Sequence, residues 1–305
     1  MVTLGGTSTA KEFALREMAS RINELPLLPQ SFSRILKLDP NDHDYFSRLE
    51  QYTKAEPSFA VRIVAKANAN AHRVSTAAPV LTLNGAMVRL GGTEIRTLVS
   101  SLAVQRVFVP TTPDQIRLWI HAVHVAVAAQ RIAEIVPELR IVPDTAYLAG
   151  LLHDIGRFVM FEHDTLRLTR VNETNWRSPE DLIRSDIDVF SFTHCELGYL
   201  ACKRWHLPDE ICQVVRYHHS PFQKRITPKS IEALVFCVQL ADRLTVSVIE
   251  DEPSRTLSVG GLETRIREVC YQRPQDRSLL PANRIAHHVQ AIKEHSESIL
   301  AELGF

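Results

Sequence analysis

Five stretches of this chain repeat their apolar residues at helical spacing, and in each a histidine or an aspartate stands where the apolar stripe should continue. In 114–135, Leu118, His121, Val125, Ala128 and Ile132 fall on one face. His153 and Asp154 sit in Leu151-Leu152-His153-Asp154-Ile155-Gly156-Arg157, on a stripe with Leu148, Ile155 and Val159. His194 shares a face with Gly198, Ala201 and Trp205, and the next helical stretch closes on His218-His219. Asp242 continues the face set by Ile231, Leu234, Val235 and Val238. Burying such groups without partners costs several kcal/mol. The fold must therefore satisfy them, either singly, as hydrogen-bonded core histidines and a His–Asp pair, or together around metal ions. Imidazole and carboxylate are ordinary ligands of Fe, Mn and Zn.

The rest of the chain is helical in pattern. No Asn-Gly-type hairpin signal separates alternating runs, and only 11 of 305 residues are glycine, so an all-α fold is expected. Helices are predicted over about 9–23, 30–38, 43–54, 57–70, 84–90, 92–106 and 114–135, with an extended link at Pro79–Leu83. One helix is predicted from an N-cap at Asp144 to Met160. Thr193-His194-Cys195-Glu196 reads as a capping box. Pro208-Asp209-Glu210 and Thr227-Pro228 read as helix starts, and two further helices are expected over 261–272 and 281–303. Val109-Pro110-Thr111-Thr112-Pro113 is the clearest punctuation. It divides the chain into an N-terminal helical subdomain (1–110), a ligand-bearing helical subdomain (111–248) and a C-terminal helical extension (249–305).

Composition removes several function classes. Thirty-five basic and 35 acidic residues give no net charge, and aromatics make up 7% of the chain, which points away from nucleic acid and from anionic membranes as partners. No stretch approaches the roughly 18 to 20 apolar residues of a membrane span, and the N-terminus lacks a secretory pattern, so a cytoplasmic location is expected. The five cysteines are odd in number and lack CxxC spacing, which reads as reduced structural thiols.

The order His121, His153-Asp154, Asp242 resembles the HD superfamily of metal-dependent phosphohydrolases, and His194, His218 and His219 resemble the second-metal ligands of its HD-GYP branch. The N-terminal half is similar to an HDOD domain, the HD-related output domain of bacterial signalling proteins. Leu25-Pro26-Leu27-Leu28-Pro29, Ala55-Glu56-Pro57, Ala67-Asn68, Leu83-Asn84, Leu90-Gly91-Gly92, Leu118-Trp119 and Arg204-Trp205-His206-Leu207-Pro208 carry that likeness over about 20–245. The chain departs from the HD-GYP pattern in two places. The His-His pair is followed by Ser220-Pro221 rather than Gly-Tyr-Pro, and Arg157 stands where many HD enzymes have lysine.

The resemblance implies a multi-helical, HD-domain-like bundle with an N-terminal helical subdomain. It implies two divalent transition-metal ions (Fe, Mn or Zn) held by His121, His153, Asp154, His194, His218, His219 and Asp242, with Asp154 bridging, His121, His153 and Asp242 on one ion, and the other three histidines on the second. Arg157 would stabilise phosphate charge beside the catalytic Asp154, or simply solvate the helix end, and His124 would support His121 or be structural. Two functions follow as expectations: a cytosolic regulatory module working through signalling protein partners, or a phosphohydrolase acting on a nucleotide or cyclic dinucleotide. A phosphorylated small molecule is the expected ligand. The 261–303 helices are expected to cover the core or to form a homodimer surface.

Overall fold

Proline opens many of the helices, because the first helical residue needs no N–H partner and favours the fixed φ of proline. The computed structural model describes residues 6–21, 34–35, 37–39, 42–71, 78–101, 113–174, 178–220, 228–271 and 281–301. Its helices are α1 (Gly6–Arg21), α2 (Tyr45–Lys54), α3 (Pro57–Ala71), α4 (Leu83–Ser101), α5 (Pro113–Ile135), α6 (Pro143–Leu152) and α7 (Ile155–His163). They continue with α8 (Thr165–Glu173), α9 (Pro179–Phe190), α10 (His194–Arg204), α11 (Asp209–Tyr217), α12 (Lys229–Leu244), α13 (Val259–Cys270) and α14 (Ala282–Ala301). No strand occurs among the described residues, and the all-α expectation holds. The Leu25–Pro29 and Val109–Thr112 punctuation and most of the helix expected at 30–38 lie outside the described residues.

Local chemistry explains the main boundaries. Gly91, at φ 70° and ψ 170°, kinks α4 where the sequence separates two helices, in a backbone region that favours glycine. The link before α4 is held by buried Asn68. Its side-chain amide donates to Val80 O (3.1 Å), and its carbonyl accepts from Val80 N (2.8 Å). At α10 the capping box is complete: Thr193 Oγ1 accepts from Glu196 N at 3.1 Å, and Glu196 Oε2 accepts from Thr193 N at 3.0 Å.

The helix expected from Asp144 to Met160 is two helices, broken at His153–Asp154. Val142, not Asp144, is the N-cap of α6, with Pro143 as its first residue. Asp154 leaves helical geometry (φ −98°, ψ 17°) and becomes the N-cap of α7. The break serves a close crossing. A Cβ on Gly156 would lie 1.9 Å from His194 O, so α7 and α10 touch backbone to backbone, with Gly198 facing Gly156. Within an unbroken helix, neighbours project about 100° apart. At this turn His153 Nε2 and Asp154 Oδ2 come within 3.9 Å. The segment between α7 and α10 carried no helix assignment from sequence, and it forms α8 and α9.

One apolar core joins the elements. Trp119 of α5 packs edge-on against Phe158 of α7 at 4.6 Å between ring centroids. The N-terminal helices are tied to α5 and α6 by polar contacts: Trp119 Nε1 donates to Glu56 Oε1 (3.4 Å) and Tyr147 Oη donates to Lys54 O (2.7 Å). Helix α14 covers α5 through Ile285, Val289 and Ile292, and Arg284 Nη1 donates to Ile135 O at 2.8 Å. No helix among the described residues is long and apolar enough to cross a membrane.

The glycine crossing is testable. Gly156→Ala forces the α7–α10 backbones apart and is expected to lower unfolding free energy by about 3 kcal/mol, at the upper end of overpacking losses. Gly260→Ala, whose Cβ meets nothing nearer than Ser258 Oγ at 4.0 Å, is expected to leave stability unchanged or raise it slightly. Denaturant titration of both variants measures the contrast.

Candidate metal centre

Each candidate side chain reaches the centre from a different structural device. His121 projects from the middle of α5, Asp242 from the last turn of α12, His194 from the first residue of α10, and His218 from the end of α11 with His219 following it. His153 and Asp154 come from the α6–α7 break. The seven fall into two groups whose ligand atoms lie within 4.8 Å of one another: Asp154, His194, His218 and His219 in one, and His121, His153 and Asp242 in the other.

Hydrogen bonding fixes which nitrogen each ring presents. His153 Nδ1 lies 2.7 Å from Gly150 O and His218 Nδ1 lies 2.9 Å from Val215 O. A carbonyl only accepts, so both Nδ1 atoms carry hydrogen and both Nε2 atoms face the centre, where the neutral rings present lone pairs. His194 Nδ1 lies 2.5 Å from Asp186 Oδ2, which also accepts from His194 N at 2.9 Å. Its Nε2 therefore faces inward as well. This outer support is what orients metal-binding imidazoles.

The result is a cluster of acceptors. His194 Nε2 and His218 Nε2 are 3.3 Å apart, and both lie close to Asp154 Oδ1, at 3.2 and 3.4 Å. The other oxygen of Asp154 lies 3.9 Å from His153 Nε2 and 3.8 Å from Arg157 Nε, so one carboxylate faces both groups. In the second group, Asp242 Oδ1 lies 3.1 Å from His121 Nε2 and 4.0 Å from His153 Nε2. Asp242 Oδ2 is 3.8 Å from His219 Nδ1. His153 Nε2, Asp154 Oδ1 and His219 Nδ1 are buried without a hydrogen-bond partner. Orphaned buried acceptors facing one another are what a cation would satisfy, and the N/O donor set suits Fe, Mn or Zn. The residues fit the two-ion centre that the resemblance implies.

Electrostatics within the cluster are divided. Burial pushes the His153 imidazole down to about 4 despite Asp154. Burial opposes charge on His218 too, but Cys195 and Asp154 outweigh it and lift the ring to about 10. Burial works against ionised Asp242, yet the His121 hydrogen bond and the neighbouring imidazoles hold its carboxyl below the usual range. Burial raises the Cys195 thiol, and His194 and His218 more than reverse this, bringing it down to about 7.

Several participants carried no expectation. Asp186 anchors His194. Its place was legible: Ser178-Pro179-Glu180-Asp181 is a helix-start pattern, and Asp186 interrupts the Leu182–Phe190 face. Glu250 accepts from His124 Nδ1 at 2.9 Å and lies 3.3 Å from His121 Nδ1, so His124 shares the carboxylate that supports His121. Glu250 follows a π-helical turn, Thr245–Ile249, that helical periodicity does not anticipate. Asn172 Oδ1 accepts from Arg157 Nη2 at 2.8 Å. His287 and His288 lie in the second turn of α14 and belong to neither ligand group, and His287 Nδ1 bonds Asn283 O within that helix.

A cavity of about 300 Å³ opens onto these groups. Asp154, His121, His219 and Asp242 line it, together with Arg117, Arg157 and Arg243. Removing the outer carboxylate is expected to loosen the centre without removing a ligand. Asp186→Asn should lower metal affinity by about 10- to 100-fold. Metal analysis after dialysis against graded chelator reads that loss.

Comparison with known proteins places this geometry in context. The HDOD domain family profile matches residues 25–221. An uncharacterized protein of Treponema pallidum is 24% identical over 251 residues, 81% of this chain and 46% of its own length, so the chain spans about half of that curated relative. The MmoQ response regulator of Methylococcus capsulatus is 21% identical over 84% of this chain and 97% of its own, with a TM-score of 0.63. A Shewanella amazonensis protein provisionally named a phosphohydrolase is 17% identical over 95% of this chain and 98% of its own, with a TM-score of 0.53. At these identities the likeness to both solved structures is one of fold.

Proposed function

This chain belongs to the HDOD family, and on that premise we propose that it is a cytosolic regulatory protein whose HD-type centre holds two divalent transition-metal ions. The observation that carries the reading is the convergence of seven N and O donors from α5, the α6–α7 break, α10, the end of α11 and α12 into two adjoining groups. In this reading Asp154, whose carboxylate faces both groups, would serve both ions. His121, His153 and Asp242 would hold one, and His194, His218 and His219 the other. The centre works as a structural or sensing element, and the readout goes to a protein partner. The contacts from α5 and α6 to Glu56 and Lys54 give a direct route from the centre to the N-terminal helices.

The second reading, a phosphohydrolase, is favoured by the arginine-lined cavity above the ligands. A bound pair of ions would supply Lewis acidity and a water acidic enough to ionise near neutral pH. The residues of the chain would do the rest. Arg157, oriented by Asn172, would meet phosphate charge, and the walls formed by Leu118, Leu182 and Val246 would limit water around a phosphorylated small molecule.

Metal analysis of protein purified without added metal is the primary test. About two equivalents of Fe, Mn or Zn are expected, with His153→Ala losing at least one; well under one equivalent in the parent protein, unchanged by the substitution, would rule the centre out. Turnover assays on Mn- and Fe-loaded protein with nucleoside phosphates and cyclic dinucleotides separate the two readings. The regulatory reading expects no turnover above background. Turnover that Arg157→Ala reduces by about 100-fold or more would establish the hydrolase instead.

A further inference from the structure

The two ligand groups are unequally built. In one, His194 Nε2, His218 Nε2 and Asp154 Oδ1 form a nearly equilateral triangle with sides of 3.2, 3.3 and 3.4 Å. With metal–donor distances of about 2.1 Å, tetrahedral donors lie about 3.4 Å apart, so these three already stand where a single cation would hold them. In the other, Asp242 Oδ1 is 3.1 Å from His121 Nε2 but 4.0 Å from His153 Nε2, so a cation there must draw its donors together.

The outer supports differ in the same sense. Buried Asp186 backs His194 and accepts from its backbone N as well, and the Val215 carbonyl holds His218. His153 is held as firmly, by Gly150 O, but His121 is not. Its Nδ1 lies 3.3 and 3.4 Å from the two oxygens of Glu250, while His124 Nδ1 takes the nearer of them at 2.9 Å. Access differs too. The His194 and His218 side chains are 0% exposed, against 17% for His121. His121 and Asp242 line the cavity directly. From the first group only Asp154 and His219 reach it, and both also turn toward the second group, Asp154 to His153 and His219 to Asp242.

We propose that the centre is a divalent-cation sensor with one resident and one exchangeable ion. Asp154, His194 and His218 keep the resident ion, and His121, His153 and Asp242 take up and release the other. This inference rests on the two-ion reading and adds which half of the centre responds to free metal. Preformed donors cost little to order on binding, whereas donors that must move first lose affinity. Glu250 follows the π-helical turn by which the chain leaves α12 for α13 and α14, so a change at His121 has a physical route into the C-terminal helices.

Chelator competition tests the assignment. Full-length protein loaded with two equivalents of Zn(II) and dialysed against graded chelator is expected to lose zinc in two steps, separated by roughly 100-fold in affinity. Glu250→Gln, which removes no ligand, is expected to move the early step by about tenfold and the late step by much less; Asp186→Asn is expected to do the reverse. A single step, or a late step that responds more to Glu250→Gln than the early one does, overturns the assignment and leaves the two-ion centre standing. A parent protein that never holds more than one equivalent sinks both. Should either variant not fold, anomalous diffraction from crystals of the parent protein grown with one equivalent of Zn(II) decides alone. An ion between His194 and His218 supports the proposal. An ion between His121 and Asp242, or equal occupancy of the two places, overturns it.

Discussion

Asp154 Oδ1 meets two imidazole Nε2 atoms at 3.2 and 3.4 Å, deep in an apolar bundle, and with neutral rings the three acceptors face one another until a proton on a ring or a cation comes between them. Like-signed dipoles and charges packed this way repel strongly where water cannot screen them. The rings cannot turn aside to relieve the conflict, because Asp186 holds the outer nitrogen of His194 and the Val215 carbonyl that of His218. The fold therefore accepts a local destabilisation that positive charge reverses. That is the signature of a binding centre rather than of ordinary core packing, in which polar atoms satisfy one another.

Everything around this knot serves placement. The capping box on Thr193 fixes where α10 begins and so where His194 stands. Gly156 and Gly198 let α7 and α10 approach to backbone distance, which draws Asp154 under the histidines. Trp119, wedged against Phe158, sets α5 on α7 and with it the height of His121. Each device lies in the apolar core or at a helix end, and each trades local freedom for position.

Much of this was written plainly in the sequence. The helical period, the proline starts, the capping box and the misplaced polar residues on five apolar faces could all be read, and together they indicated which residues needed company. What could not be read was directional. A pattern of apolar residues continues smoothly through His153 and Asp154, so periodicity gives one helix, whereas the backbone contact at Gly156 requires two. A supporting group such as Glu250 acts on a ligand's far side, so it shares no stripe with it.

The turn at His153–Asp154 has one more implication. Adjacent residues on a single bend of backbone supply donors to both groups, one histidine to the first and one carboxylate facing the pair. The two halves of the centre are in effect mounted on the same hinge pin. Tilting that pin to retune one half disturbs the other, so neither half can be adjusted alone.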